Sequence, residues 1–352
     1  MPQIYPFPYW TTNPYLNMLY LEARAQGWQA RGRWRYGELI DDLGRLAPGD
    51  IAHVHWTGPI SDGVLNAADF RVRINTLDAA LGRAAARGVR LFWTVHNTVA
   101  HDAKYLAEEV ELAKVLARRA EKILVLNSQT VTVAAEHYEI PVEKVHRIPH
   151  ASYLGIYPQP HGRRAVRESL GIPLGERVVG IVGGLRPYKG VGVLLRAAGL
   201  LAERHPNVSL LLAGKTDPAA MREIEEALPP GVTVYRRHAE LTEDEVVTWS
   251  AACDVLAFPY TRILNSGSML LASTMGVPCV VPALPHLMTD YGDQAWVEFF
   301  DAEAEDRPAA LAAAVERCFD RQGGARTRAA KEFAAAYTMH DMAADFAELL
   351  HV

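Results

Sequence analysis

Cysteine is scarce in this chain. Cys253, Cys279 and Cys318 are the only three in 352 residues, and no two form a Cys-x-x-Cys pair. Such a set excludes a disulfide framework and a zinc ribbon, and it fits reduced thiols. No run of about 18 apolar residues occurs, so no segment reads as a membrane-spanning helix. The opening stretch, Met1-Pro2-Gln3-Ile4-Tyr5-Pro6-Phe7-Pro8, lacks the basic-then-apolar pattern of a secretory signal. A cytoplasmic location is therefore expected, with peripheral contact at the cytoplasmic face of a membrane left open. An excess of positive charge is also missing. The net charge is −5, with 17 Lys+Arg against 16 Asp+Glu in residues 1–155 and 19 against 25 in the remainder. Without a basic field, nucleic acid is excluded as a partner. No Gly-x-Gly-x-x-Gly with a following acidic residue opens the chain, which argues against a dinucleotide-dependent oxidoreductase. No Asp-x-Asp occurs, and residues 255–289 hold no acidic side chain at all.

What remains is an ordinary globular composition, 49% hydrophobic and 22% charged. A length of 352 residues suggests two domains. Apolar strand-like runs at 51–56, 89–95, 122–127 and 145–149 alternate with helical spacing near 69–87, 104–120 and 129–138. A Pro/Gly-rich passage at 153–162 reads as a linker. Alternation resumes with strands expected at 177–182, 208–213, 232–235, 254–258 and 278–281. Helical stretches near 306–321, 325–336 and 339–350 follow. The pattern predicts an α/β protein with two doubly wound parallel sheets and ligands at the strand C-terminal ends. Two such domains facing each other would form a cleft, where ligands usually sit.

Residues 183–190, Gly-Gly-Leu-Arg-Pro-Tyr-Lys-Gly, follow the apolar run Val178–Val182 and precede a helical pattern from Val191. Gly184 lets backbone approach a ligand, and Arg186 and Lys189 flank a helix start whose N–H groups face outward. An ordinary turn with two solvated cations is the bland alternative. A second element matches it. Strand Cys253–Phe258 leads into Asn265-Ser266-Gly267-Ser268 and a helix closed by Gly276. Asn or Ser caps helices well, and the open N–H groups at such a start suit an anion. Two such starts with two cations fit a diphosphate better than either fits a routine turn.

With these elements the chain resembles the GT-B-fold, nucleotide-sugar-dependent glycosyltransferases over nearly its whole length. Gly183–Gly190 looks like their diphosphate-binding Arg/Lys turn, and Val277-Pro278-Cys279-Val280-Val281 like their Gly-x-Pro-Val-Val strand. Arg147-Ile148-Pro149-His150 resembles the end of their N-terminal domain, and the late helices a tail returning to it. His55-Trp56-Thr57-Gly58, Trp93-Thr94-Val95-His96-Asn97 and Leu264–Ser268 are similar to bacterial exopolysaccharide transferases, including mannosyltransferases with lipid-linked acceptors. The resemblance implies an acceptor-side domain over 1–158, a nucleotide-sugar domain over 159–335, and a tail, 336–352, packed on the first. It also implies a GDP- or UDP-sugar donor and a carbohydrate or polyprenyl-diphosphate-linked acceptor. No cofactor is expected.

One departure stands out. Retaining members carry a Glu-x7-Glu pair around the donor-site helix, and the second Glu position here is Leu271. Inversion is therefore favoured, and it needs a general base. The loop His96-Asn97-Thr98-Val99-Ala100-His101-Asp102 is the expected source. By resemblance His96 meets the donor sugar, while Asp102, or else His101, is the base; Asp102 also suits a helix cap. His53 and His55 alternate on one strand and face one side. They lack a third metal ligand at a telling spacing, so no metal site is expected. Arg186 and Lys189 would do the charge neutralisation instead. Trp10, Asn13 and Tyr15 in the aromatic opening, with Trp56 and Thr57, are candidate acceptor contacts; the opening rings equally suit a plug at a sheet edge. Arg31-Gly32-Arg33-Trp34-Arg35-Tyr36 reads as a solvated loop or as a contact with an anionic membrane surface. Arg237 and His238 are candidates for the donor base, or lie on a surface turn. A GT-B sugar-nucleotide epimerase and a non-catalytic two-lobed binding protein remain the rival readings.

Overall fold

The computed structural model describes residues 2–100, 103–320 and 324–351. It contains two six-stranded, wholly parallel sheets. The first comprises β1 (Gln3–Phe7), β2 (Gln29–Ala30), β3 (Ile51–Val54), β4 (Arg90–Val95), β5 (Lys122–Val125) and β6 (Val145–Arg147), in the order β2-β1-β3-β4-β5-β6. The second comprises β7 (Arg177–Val182), β8 (Val208–Ala213), β9 (Thr233–Arg237), β10 (Val255–Ala257), β11 (Cys279–Pro282) and β12 (Val297–Phe300), in the order β12-β11-β10-β7-β8-β9. Read from β9, that is the 3-2-1-4-5-6 order of the dinucleotide-binding folds. The expected α/β doubly wound class is therefore present twice.

The second sheet shows why its strands were legible. Along β7 the side chains alternate between two apolar layers. Val178 and Val182 join Leu211, Phe258 and Val281 on one face, while Val179 and Ile181 join Leu210, Leu212 and Val280 on the other. A parallel sheet covered on both faces needs apolar residues at every position, which produces the unbroken runs seen in the sequence. Helices Val191–Arg204 and Arg307–Asp320 cover one face. Helices Glu243–Ala252, Gly267–Met275 and Ala325–Ala336 cover the other.

β1 was not foreseen, because Pro6 lies inside it. The strand tolerates this for a local reason. Ile4 O accepts outward from Arg31 N, just past the two-residue β2, whereas Phe7 O accepts from His55 N on the β3 side. Pro6 has the orientation of Ile4, so its missing N–H faces the side where β2 has already ended. A prolyl residue there breaks no ladder bond. Ile4, Tyr5 and Phe7 are buried in this strand, which lies second from the edge of the sheet.

The chain forms two compact units, one ending at Ala151 and resuming at Met339, the other running from Ser152 to Thr338. Residues 152–158 are tied to the second unit. Ser152 Oγ donates to Ala334 O at 2.7 Å, and Tyr153 N donates to Thr274 Oγ1 at 3.0 Å. Helix Met339–Glu348 belongs to the first. It packs on helices Pro14–Leu19 and Leu21–Ala25 and inserts Phe346 beside Tyr20, His53 and Phe92. Arg90 Nη1 donates to Leu350 O at 2.9 Å and fixes the end of this segment. Phe346 is fully buried, so Phe346→Ala should cost about 3–5 kcal/mol. Chemical denaturation reads that loss, and a change under about 1 kcal/mol would show the helix to be dispensable to the first unit.

Candidate functional site

In the second lobe the strand order reverses between β7 and β10. Open α/β sheets bind ligands beyond the carboxyl ends of the strands at such a point. Both turns singled out in the sequence start there, Gly183–Gly190 from β7 and Phe258–Ser266 from β10. Gly183 (φ +106°) and Gly190 (φ +68°) occupy left-handed backbone that other residues avoid. Gly190 caps helix Val191–Arg204 and sits so close to the next turn that any side chain would collide with the Pro259 carbonyl. Thr261 N donates to Tyr188 O at 2.9 Å, and the Tyr188 and Tyr260 rings stack at 6.1 Å. Tyr260 Oη lies 3.2 Å from Ser266 Oγ and also bonds the Ser268 hydroxyl. Burial pushes that phenol up to about 12, with the two serine hydroxyls opposing, so it stays protonated. Ser266 Oγ accepts from Met269 N at 3.2 Å and caps helix Gly267–Met275. The N–H groups of Gly267 and Ser268 have no acceptor within the helix.

The two cations differ. Lys189 is buried (7% exposed), and its Nζ lies against Gly183. Burial, helped by the positive charge of Arg186, pushes the Lys189 ammonium down to about 8. Among the described residues it has no hydrogen-bond or ion-pair partner. Arg186 is exposed. Its charge reaches Asp217 as well as Lys189; the Asp217 carboxyl is held low chiefly by the Ala220 N–H, with Arg186 adding to it. Arg237 already has a carboxylate partner. It is half exposed and bonded to Glu245 at 2.8 Å. His238 Nδ1 lies 3.0 Å from Thr216 Oγ1, in the loop after β8.

In the first lobe the order reverses between β1 and β3. A buried chain of polar groups runs beneath that point. Thr94 Oγ1 lies 2.8 Å from His53 Nε2, and His53 Nδ1 lies 2.8 Å from Tyr20 Oη. Tyr20 Oη lies 2.6 Å from His55 Nε2, and His55 Nδ1 lies 3.2 Å from His96 Nε2. Burial pushes His53 down to about 3 and His150 to about 4, and it holds His55 and His96 well below the usual imidazole range. Trp56 stacks on His96 at 4.1 Å and 16°, with Tyr15 edge-on at 4.9 Å. Trp10 lies 5.1 Å from Trp56, and Tyr15 lies 4.9 Å from His150.

Trp10, Tyr15, Trp56 and His96 therefore form one cluster. Asn13 serves helix Pro14–Leu19, its Oδ1 accepting from Tyr15 N at 2.9 Å. The Thr57 hydroxyl bonds the buried Glu109 carboxyl, which burial raises. His101 and Asp102 lie outside the described residues. Tyr20, Thr94 and His150 were not anticipated in this group. The alternation of His53 and His55 was the sole signal, since Tyr20 reaches them from 33 and 35 residues away. Among the described residues no group of three or more His, Cys, Asp or Glu can hold a metal ion, and no helix is long and apolar enough to cross a membrane.

Residues 176–321, which span all of β7–β12, match the profile of the family of glycosyl transferases group 1. A D-inositol 3-phosphate glycosyltransferase of Corynebacterium efficiens is 29% identical over 210 residues, covering 54% of this chain and 49% of the relative. A GDP-mannose:glycolipid 4-beta-D-mannosyltransferase of Xanthomonas campestris pv. campestris is 29% identical over 122 residues, 34% of each chain. The chain spans about half the length of the first of these curated relatives. The Anabaena protein HepE, solved in complex with UDP, superposes with a TM-score of 0.71 at 15% identity over 99% of both chains. Sucrose-phosphate synthase from Thermosynechococcus elongatus superposes with 0.77 at 16% identity, over 99% of this chain and 98% of that one. The fold is thus the two-lobed α/β fold of the GT-B class. The match to the group 1 glycosyl transferase profile lies within the second lobe.

The neutral histidines set an acid limit. Their folded pKa values lie below the unfolded value of about 6.5, so the unfolded chain binds more protons below that pH and stability falls with acidification. The loss should develop between about pH 6.5 and the folded values of about 4 for His150 and about 3 for His53. At pH 5 unfolding should take up about four protons from His53, His55, His96 and His150, read from calorimetry in buffers of different ionisation enthalpy. Uptake of less than about one proton would mean that these rings are charged in the fold.

Proposed function

We propose that the protein is a glycosyltransferase that moves a sugar from a GDP- or UDP-sugar to a carbohydrate acceptor. The observation that carries this reading is Lys189, an interior ammonium with no counter-ion among the described residues, beside left-handed Gly183 at the switch point of the second sheet. A buried, unpaired cation is costly to the fold and calls for an anion. A diphosphate would restore the lysine to its ordinary charged state. It would also accept from the open N–H groups of Gly267 and Ser268 and attract Arg186 from the rim. Gly184 and Asn265 would line the same phosphates. The match of this lobe to the group 1 family, and the UDP bound by HepE, support that ligand.

Charge balance explains the step. As the bond from anomeric carbon to phosphate oxygen breaks, negative charge grows on the departing diphosphate. Fixed cations there lower the barrier without a metal. Trp10, Tyr15, Trp56 and His96 offer aromatic faces and a polar edge to sugar rings. His96 is the contact to the donor sugar, and Asp102, or else His101, takes the acceptor proton. Asn13 and Thr57 act by shaping this surface, and Arg237 and His238 are the candidates near the nucleotide base. The relative whose name specifies GDP-mannose and a glycolipid supports a lipid-linked acceptor and membrane-face contact in glycan assembly.

Lys189→Ala should lower turnover about ten- to hundredfold, the worth of a charge-assisted contact made mainly in the transition state, while leaving the fold intact. Steady-state kinetics measures this, and unchanged turnover would reject the assignment. Because Leu271 replaces the second Glu of the retaining pair, the product linkage should have inverted anomeric configuration by proton NMR. A retained configuration would overturn the mechanism.

A further inference from the structure

The buried chain beneath His96 has a direction. Tyr20 has one hydroxyl proton and, among the described residues, two partners, His53 Nδ1 and His55 Nε2. It therefore donates to one imidazole and accepts from the other. Each ring is neutral, held so by burial, and so carries one N–H and one lone pair. Only two proton patterns then connect Thr94 to His96. In the first, Thr94 Oγ1 donates to His53 Nε2, His53 Nδ1 donates to Tyr20 Oη, Tyr20 Oη donates to His55 Nε2, and His55 Nδ1 donates to His96 Nε2. In the second, every bond is reversed.

The Thr94 end decides between them. Thr94 is fully buried, and His53 is the sole partner of its hydroxyl among the described residues. If His53 donated to it, the hydroxyl proton would be left in the interior with no acceptor, which is the costly outcome for a buried donor. In the first pattern the Thr94 proton is used, each bond of the chain has one donor and one acceptor, and the remaining proton sits on His96 Nδ1, at the end that is not fully buried. We propose that Thr94 and Tyr20 are positioning residues that hold His96 as its Nδ1–H tautomer, with Nε2 accepting from His55. His96 then carries its proton on Nδ1, as a donor, while its Nε2 lone pair is taken by His55, so it does not serve as the general base. Trp56 and Tyr15 keep the ring from rotating out of this arrangement.

Only the use made of that donor rests on the transferase reading. The tautomer itself is measurable without substrate. Long-range proton–nitrogen correlation on the full chain labelled with 15N-histidine, near neutral pH, reports each ring nitrogen separately, and His96→Gln assigns the signals. Wild-type His96 should show a protonated Nδ1 and a lone pair on Nε2. Thr94→Val removes the bias and should shift His96 toward the Nε2–H form, whereas Thr94→Ser, which keeps the hydroxyl, should restore the wild-type pattern. Tyr20→Phe should uncouple the chain and give the same shift as Thr94→Val. An Nε2–H or doubly protonated His96 in the wild type would overturn the inference, as would a His96 pattern unmoved by both variants. Absence of sugar transfer with the Nδ1–H pattern in place would reject the proposed function and leave this inference standing.

Discussion

The contact between Gly190 and the Pro259 carbonyl sets the geometry of the second lobe. Hard-sphere exclusion does this better than attraction can: a hydrogen bond such as Thr261 N to Tyr188 O contributes about 0.5–1.5 kcal/mol net, whereas a Cβ at Gly190 has no place at all. With the loops after β7 and β10 seated on one another, Tyr260 reaches the cap of helix Gly267–Met275 through Ser266. The helix start and the Lys189 turn are thereby parts of one construction. A glycine, not a charged residue, is the element that makes the charges usable.

The two candidate sites treat buried polarity in opposite ways. In the first, Thr94, His53, Tyr20, His55 and His96 are all partnered, and neutrality follows from burial among Phe92, Phe346 and Trp56. Such a satisfied network rigidifies its surroundings and fixes ring orientation. In the second, Lys189 is left without a partner among the described residues. A cation kept that way stores an appetite for an anion, in line with the perturbed groups that gather at working sites.

Much of this was readable in the residues, and the exceptions have physical causes. Strands such as β7 and β8 were visible because both faces are buried, leaving continuous apolar runs between turns. β1 was hidden by Pro6, which is harmless only because β2 is two residues long, a fact of pairing and not of local pattern. β12 escaped notice because its alternation with Glu298 is short and Glu298 is spoken for by Arg317 and Arg326. The helix expected over 129–138 shrinks to Thr130–Ala134, where β-branched residues weaken its propensity. At the sites, Lys189 and the Ser266 cap were legible because turn chemistry is local. The Tyr20 bridge and the pairing of Arg237 with Glu245 were not, since both arise from packing between distant segments.

The placement of helix Met339–Glu348 bears on how the protein is made. Phe346 closes the interior of the first lobe over His53 and Tyr20, yet it leaves the ribosome only after the whole of the second lobe has emerged. Domains ordinarily mature in the order of synthesis. Here the earlier one must wait, its histidine-lined interior open to water, for the last helix to arrive.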